Sequence, residues 1–304
     1  MKIRSPWSRN LAELSSATVA EAVRGGTLIW PLGSIEQHGP HLPLAVDTVI
    51  PEALAQQLAF ELDGYRLPVQ PIGARSLPQS GGGPAFPGTL HLRGDTLIRY
   101  LTETLESLCH LPFHRLILLN GHFENEALIF EAVDDVRQRG LLDGREAIAF
   151  SWWSLVTDAW LNEEVAGFPG WHAEHAGVTE TSLMLFLRPD LVSPERPEHH
   201  NPPLAGIYLH PADPTVTTNQ GVLSSTVGAS QELGERLFWH VISGATALVR
   251  QGPGMRRPAA AEPAAAAEPG GAAESPTATE PDGGAESGGG ADLRAVPKLP
   301  AATP

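Results

Sequence analysis

Short apolar runs alternate along the chain with longer stretches in which apolar residues recur at helical spacing. The apolar runs predict strands over residues 27–32, 65–72, 115–119 and 146–153. The periodic stretches predict helices over residues 11–23, 49–62, 95–110, 126–139, 178–187 and 229–251. Because strands that alternate with helices form βαβ units, we expect an α/β fold with three layers: a mostly parallel sheet that carries helices on both faces.

The composition of the chain changes near residue 252. Beyond that point the residues are mainly Ala, Pro, Gly, Glu, Ser and Thr, and none is aromatic. Such a segment cannot bury enough apolar surface to offset the entropy that it would lose on ordering. We therefore expect one folded domain over residues 1–252, large enough for a full core, and a disordered tail over residues 253–304.

Charge, hydropathy and cysteine content narrow the class of protein. The formal net charge of -15 argues against a nucleic-acid or an anionic-membrane partner. No apolar run is long enough to span a bilayer, and no signal-peptide core follows the basic residues near the start. The single cysteine, Cys109, cannot form an internal disulfide, which suits a reducing compartment. These properties predict a cytoplasmic protein.

The first group of residues with candidate chemistry follows the predicted strand 27–32. Glu36 and His38 are two residues apart, so that both side chains point to the same face of an extended backbone. A loop rich in proline and glycine can fold Asp47 back towards this pair. Two carboxylates and an imidazole are typical ligands of a divalent transition metal. In sheets of this class, sites form where the strands end.

A second group of the same kind follows the predicted strand 115–119. His122 and Glu124 repeat the spacing of the first pair. Taken alone, either pair is equally well explained by a histidine in a turn and a solvated loop acid. Both pairs at strand ends favour a metal centre. With Asp47 they give five ligands, more than one four-coordinate metal uses, so we expect two metals that share a bridging carboxylate.

Several sequence blocks, taken together, resemble the creatininase (creatinine amidohydrolase) family along nearly all of residues 25–250. The matching blocks lie at residues 33–38 with 47, 80–83, 86–89, 120–125, 151–153, 170–175, 180–185 and 223–225. The resemblance implies a hydrolase with two divalent metals, zinc or manganese, that opens the ring of creatinine to form creatine. It also implies assembly as a homohexamer and a small-molecule substrate.

The resemblance further implies which side chains bind each metal. Glu36 and His122 would bind one metal, His38 and Glu124 the other, and Asp47 would bridge them. Glu124 is at the same time a candidate catalytic residue. Glu174 and Glu180, which we expect to orient ligands or to cap the following helix, are outside this set.

A second set of residues would contact the substrate or move protons. By resemblance, His175 matches a proton-relaying histidine and Trp171 a tryptophan that covers the substrate. Trp153 matches another pocket tryptophan, and Ser80 lies where the family contacts its substrate. A histidine can return a proton to a leaving nitrogen near neutral pH, and indole rings suit a planar substrate. Ordinary core packing is the alternative for both tryptophans.

Phe123 departs from the creatininase pattern, which has a tyrosine at this position. The change removes one possible hydrogen bond to the substrate. Two alternatives to creatinine therefore remain: a formamide from a flavin or deazaflavin precursor, and a peptide of the mycofactocin type. Those branches carry Gly-Gly-Asn where this chain has Phe123-Glu124-Asn125. A third alternative is a binding or assembly subunit without catalysis, which metal analysis would distinguish from an enzyme.

Overall fold

The structure is a computed structural model, and it describes residues 9–81, 83–197, 205–211 and 220–251. The chain divides into two units, Met1–Met255 and Arg256–Pro304. The tail predicted for residues 253–304 lies outside the described residues, so its disorder stays a prediction.

Within the described ranges the chain forms seven α-helices and six strands. The α-helices are α1 (Val19–Ala22), α2 (Val46–Glu61), α3 (Gly94–Leu108), α4 (Asn125–Gln138), α5 (Asp158–Glu164), α6 (Val178–Leu187) and α7 (Gln231–Gln251). The strands are β1 (Thr27–Leu32), β2 (Tyr65–Arg66), β3 (Gly73–Ala74), β4 (His91–Leu92), β5 (Arg115–Asn120) and β6 (Glu146–Ser151). None of the described helices has the length and apolar character needed to cross a membrane.

Four parallel strands make the central sheet, in the order β2-β1-β5-β6. The register pairs Leu32 with Asn120, and Asn120 with Ser151. The last residues of β1, β5 and β6 therefore lie side by side, and the three loops that follow them leave the sheet at one edge. A separate parallel pair, β3 and β4, is the second sheet.

The sheet is covered on both faces by apolar side chains. Alternate strand residues point to opposite faces, so Ile29 and Ile117 pack with α2, α6 and α7, whereas Leu28 and Leu116 pack with α3 and α4. Burial on both faces explains why β1 and β5 are continuous apolar runs. The three-layer α/β fold is thus confirmed.

The predicted helix over residues 11–23 is wrong. The structure has a single 3-10 turn at Leu11–Glu13 and the four-residue helix α1, and neither contains a buried residue. Between them, the Thr18 hydroxyl donates to the carbonyl of Ser15 at 3.2 Å. Serine and threonine side chains that bond to nearby backbone compete with helix formation, and no burial compensates for this here.

The strand predicted over residues 65–72 is also shorter, because only Tyr65–Arg66 is regular. Pro68 and Pro71 cannot donate to a neighbouring strand. The segment still follows the edge of β1, where Leu67 N donates to Ile29 O and Gln70 N to Pro31 O, at 2.8 and 3.0 Å.

Helix α2 begins three residues earlier than predicted, and this places Asp47 in its first turn. Pro51 consequently lies inside the helix, beyond the first turn. Since proline has no N–H group, the carbonyl of Asp47 lacks its usual helical donor. The loops after β1 and β5 pass close to this carbonyl: a Cβ atom on Gly33 or Gly121 would fall 2.2 or 2.7 Å from it. Only glycine allows the two loops to approach Asp47 this closely.

Candidate metal centre and substrate cleft

The structure brings Glu36, Asp47 and His122 together at the edge where the strands end. Nδ1 of His122 lies 3.1 Å from Glu36 Oε2 and 3.0 Å from Asp47 Oδ2. All three side chains are buried, at 2 to 3% exposure. One donor atom from each lies within 4.8 Å of the other two, which suits a single cation.

A second group consists of His38, Asp47 and Glu180. Nε2 of His38 lies 3.1 Å from Asp47 Oδ1 and 3.7 Å from Glu180 Oε2. Asp47 therefore directs one carboxylate oxygen to each group. A carboxylate divided in this way is the arrangement by which one aspartate bridges two metals.

The tautomer of His38 supports a cation at the second group. Nδ1 lies 3.0 Å from the backbone carbonyl of Glu36, which can only accept a hydrogen bond. A neutral ring therefore presents the lone pair of Nε2 to the two carboxylates. This nitrogen is buried and has no hydrogen-bond partner among the described residues. A lone pair that faces carboxylate oxygens in a buried site fits a metal ion between them.

The electrostatics of both groups lead to the same conclusion. Burial lowers the pKa of His38, but Asp47 and Glu180 outweigh it and raise that pKa well above its ordinary value. Burial raises the pKa of Glu36, yet the charges of His175 and His122 leave it below its ordinary value. The site thus strongly favours positive charge beside its carboxylates, and two divalent cations can supply that charge.

Glu124 lies beside His122 but belongs to no three-residue group that could bind a cation among the described residues. Its Oε2 is 3.3 Å from His122 Nε2. Its Oε1 accepts hydrogen bonds from the Ser80 hydroxyl and, at 3.1 Å, from Leu77 N. Burial raises the pKa of Glu124 above its ordinary value. The structure thus places Glu124 beside Ser80 and does not group it with His38.

Glu180 is the residue whose position the sequence interpretation missed. It lies in the first turn of α6, and its Oε2 also accepts a hydrogen bond from Ala176 N at 2.7 Å. Its signal in the sequence was an acid within an otherwise strongly apolar helix, since a buried acid requires a partner.

Side chains at the ends of β5 and β6 hold the second loop in place. The side-chain oxygen of Asn120 accepts from His122 N at 3.1 Å, and its amide nitrogen donates to His122 O at 2.7 Å. The same nitrogen donates to the Ser151 hydroxyl at 2.9 Å. Asn125 accepts from Ala74 N and donates to Gly33 O, which connects the loops after β1 and β5.

His175 lies against the second group. The centre of its ring is 4.5 Å from that of His38, and its side chain is 9% exposed. Nε2 of His175 lies 2.9 Å from the backbone carbonyl of Gln37, to which it can donate. A ring nitrogen of His175 also approaches donor atoms of Glu36 and His38 within 4.8 Å.

Aromatic rings surround the open side of the metal centre. Trp152 is buried and meets Trp153 and Trp171 edge-to-face, with ring centres 5.6 and 5.4 Å away. Phe123, which is 52% exposed, stacks on Trp153 at 6.3 Å. These rings, Ser80, Glu124 and His175 line one cleft together with four side chains of the two groups, Glu36, Asp47, His122 and Glu180. Flat rings beside these polar groups suit a small planar ligand.

Comparison with known proteins identifies relatives of this chain. A family model described as creatininase, creatinine amidohydrolase, matches residues 12–249. The creatinine amidohydrolase of Pseudomonas putida is 37% identical over 231 residues, which cover 74% of this chain and 88% of that protein. The mycofactocin precursor peptide peptidase of Mycobacterium ulcerans (strain Agy99) is 31% identical over 240 residues, with 76% and 88% covered.

Solved structures match over nearly their whole length. A crystal structure of creatinine amidohydrolase (creatininase) is 36% identical, covers 81% of this chain and 98% of its own, and has a TM-score of 0.74. Two creatininase structures, one described with Mn and one as a Zn-Zn type, are each 34% identical, with a TM-score of 0.74 and 80% and 98% covered. The similarity extends to proteins that bind metal.

Proposed function

Because this chain belongs to the creatininase (creatinine amidohydrolase) family of metal-dependent C–N hydrolases, we propose that it hydrolyses a small cyclic amide, with creatinine as its leading substrate. The observation that carries this proposal is the pair of buried ligand groups that share Asp47 at the base of an aromatic cleft. A close family member that acts on creatinine supports the choice of substrate.

The proposed centre holds two divalent metals, zinc or manganese. We assign Glu36, His122 and Asp47 to one metal, and His38, Glu180 and Asp47 to the other. Glu180 replaces Glu124 in the assignment made from the sequence, because Glu180 Oε2 faces His38 Nε2. Bound at these positions, the metals supply Lewis-acid polarisation of the substrate oxygen and make water acidic enough to act as a nucleophile.

The remaining cleft residues handle protons and orient the substrate. Glu124, beside His122 and held by Ser80, accepts the proton that the attacking water loses. His175, against the second ligand group, gives a proton to the leaving nitrogen. Trp153, Trp171 and Phe123 offer flat faces that hold a planar ring in the cleft and exclude water.

Replacing His175 with alanine should lower kcat by on the order of a hundredfold or more while the metal content stays unchanged, because the ring donates a proton and binds no metal in this assignment. Steady-state kinetics and elemental analysis of the same preparation measure both quantities. His240→Ala, at a half-buried ring beside Trp160 and away from the cleft, is the matched control. An unchanged kcat in His175→Ala would remove His175 from the mechanism.

Metal analysis and a substrate panel test the proposed activity directly. We expect about two equivalents of zinc or manganese per chain after reconstitution, and turnover of creatinine above that of N-formyl compounds and peptides. Chelation should abolish turnover, and added metal should restore it. A chain that binds no metal and cleaves none of these compounds would instead be a binding or assembly subunit.

A peptide substrate is the second candidate. The 31% identity to a mycofactocin precursor peptide peptidase favours it, as does Phe123, which offers the cleft no hydroxyl group. Faster cleavage of a peptide carboxyl terminus than of creatinine would establish this function in place of the first. The formamide hydrolase alternative is tested by the same panel.

Cytoplasmic location and hexameric assembly complete the proposal. The single cysteine supports the cytoplasmic location, and the family resemblance alone supports assembly as a homohexamer.

A further inference from the structure

Gln37 lies between two of the proposed metal ligands, Glu36 and His38, and its own side chain belongs to neither group. Its side chain is 5% exposed. The amide nitrogen donates to Gly81 O and, at 3.0 Å, to Gly221 O. The amide oxygen accepts from Gly39 N at 2.9 Å. Both the nitrogen and the oxygen of the carboxamide therefore make hydrogen bonds. These bonds connect the loop of Gln37 itself with the loops at Gly81 and Gly221, which are distant in sequence.

The same residue contacts His175 twice. Its backbone carbonyl lies 2.9 Å from Nε2 of His175, and its amide nitrogen lies 2.9 Å from that atom. The backbone N–H of Gln37 donates to the Thr89 hydroxyl at 3.1 Å, which anchors the preceding peptide unit. The backbone carbonyl and the side chain of Gln37 thus both border the imidazole of His175.

The backbone at Gly81 and Gly221 passes close to these two side chains. A Cβ atom on Gly81 would fall 2.6 Å from Nε2 of His175. A Cβ atom on Gly221 would fall 2.2 Å from the amide oxygen of Gln37. Both glycines have positive φ, at 119° and 82°. Gln37 and His175 thus fill a slot whose walls are the two glycine loops.

We propose that Gln37 is a positioning residue: its carboxamide joins the loops at Gly81 and Gly221 and so holds the imidazole of His175 in place beside His38. This inference rests on the proposed function, in which His175 moves a proton. It assigns to the glutamine of the Glu-Gln-His segment a role distinct from that of its two neighbours.

The first test replaces Gln37 with methionine, which has a similar length but cannot donate or accept these hydrogen bonds. We expect kcat to fall by about ten- to a hundredfold, as is usual when a supporting hydrogen-bond partner of a functional group is lost, with the metal content unchanged. Gln57→Met is the matched control, because Gln57 is equally buried in α2. It lies ten residues from Asp47, or about 15 Å along the helix.

A double-mutant cycle shows whether the effect passes through His175. If Gln37 acts by holding this ring, Gln37→Met should cause almost no further loss in a His175→Ala background. Two outcomes would overturn the inference. In one, the reductions in kcat of the two single variants multiply in full in the double variant; in the other, Gln37→Met keeps the parent kcat.

A readout independent of turnover uses diethyl pyrocarbonate, which modifies accessible imidazoles, with peptide mapping of the metal-loaded protein. The rate of modification at His175 should rise several-fold in Gln37→Met and stay at the parent value in Gln57→Met. Parent-like protection of His175 in both variants would contradict the inference. This comparison needs no substrate, so it remains valid even if the parent cleaves no compound of the panel. That outcome would contradict only the proposed function.

A second pair of variants decides the question if Gln37→Met does not fold. Gly221→Ala would push the carboxamide of Gln37 out of its place, whereas Gly228→Ala imposes a similar backbone strain, at a φ of 87°, with no described atom within 4 Å of the new Cβ. We expect faster modification of His175 and a lower kcat in Gly221→Ala alone. Equal behaviour of the two alanine variants would overturn the inference.

Discussion

Replacing Asp47 with asparagine should lower kcat/KM by on the order of a thousandfold or more, the largest effect expected in this protein. Each oxygen of Asp47 faces a different histidine: Oδ1 lies 3.1 Å from His38 Nε2, and Oδ2 lies 3.0 Å from His122 Nδ1. An amide keeps one neutral oxygen and puts a donor in place of the other, so it cannot bridge two cations. Both metals should therefore bind more weakly.

Metal content and thermal stability measure this effect separately from activity. Added zinc or manganese should raise the unfolding temperature of the parent, because a ligand that binds only the folded state stabilises it. The Asp47→Asn protein should lose most of that rise. Asp143→Asn, at an exposed aspartate, is the control and should behave as the parent. A variant that keeps both metals and full turnover would show that Asp47 does not bridge.

Exchange of Glu180 for glutamine should remove one of the two metals and reduce kcat by on the order of a hundredfold or more. Its carboxylate faces His38 Nε2 at 3.7 Å, and that nitrogen has no hydrogen-bond partner in the described chain. Glutamine has nearly the same shape, so that Ala176 N keeps an acceptor while the negative charge disappears. The loss should then be confined to the group of His38, Asp47 and Glu180.

Glu124→Gln is the matched comparison for Glu180→Gln, because both residues are acids in the same cleft. We expect Glu124→Gln to keep both metals and to lose rate, since Glu124 accepts a proton in the proposed reaction. Elemental analysis distinguishes the two variants. The opposite outcome, with one metal lost from Glu124→Gln and none from Glu180→Gln, would restore the ligand set inferred from the sequence.

Local pattern was a good guide to the framework of this protein. Strand β5 is an apolar run between polar segments, and α6 begins and ends at the predicted residues. The period of the side chains depends only on neighbouring residues, so it can be read from one chain. By the same logic, Glu36 and His122 were placed at strand ends, where ligand sites form in a sheet of this class.

No local pattern in the sequence predicts that Glu180 lies close to His38. The two residues are 142 positions apart in the chain, and they meet because α6 packs against α2 in the core on one face of the sheet. The interpretation from the sequence paired His38 with Glu124 instead. The spacing of residues along the chain indicates which side chains share a face of one helix or strand. It does not indicate which helices, strands and loops lie closest to one another in the fold.

The α/β class, the family and the loops that carry the chemistry can be read from the chain alone, because each depends on short-range pattern or on contiguous motifs. The folded structure was needed to show that Asp47 directs its oxygens to two groups, that Glu180 faces His38 in the second, and that Gln37 contacts His175. Those relations arise where loops from several strands converge, and a close approach such as that of Gly121 to Asp47 is a property of packing. Packing joins residues that are far apart in the chain, and no local periodicity encodes it.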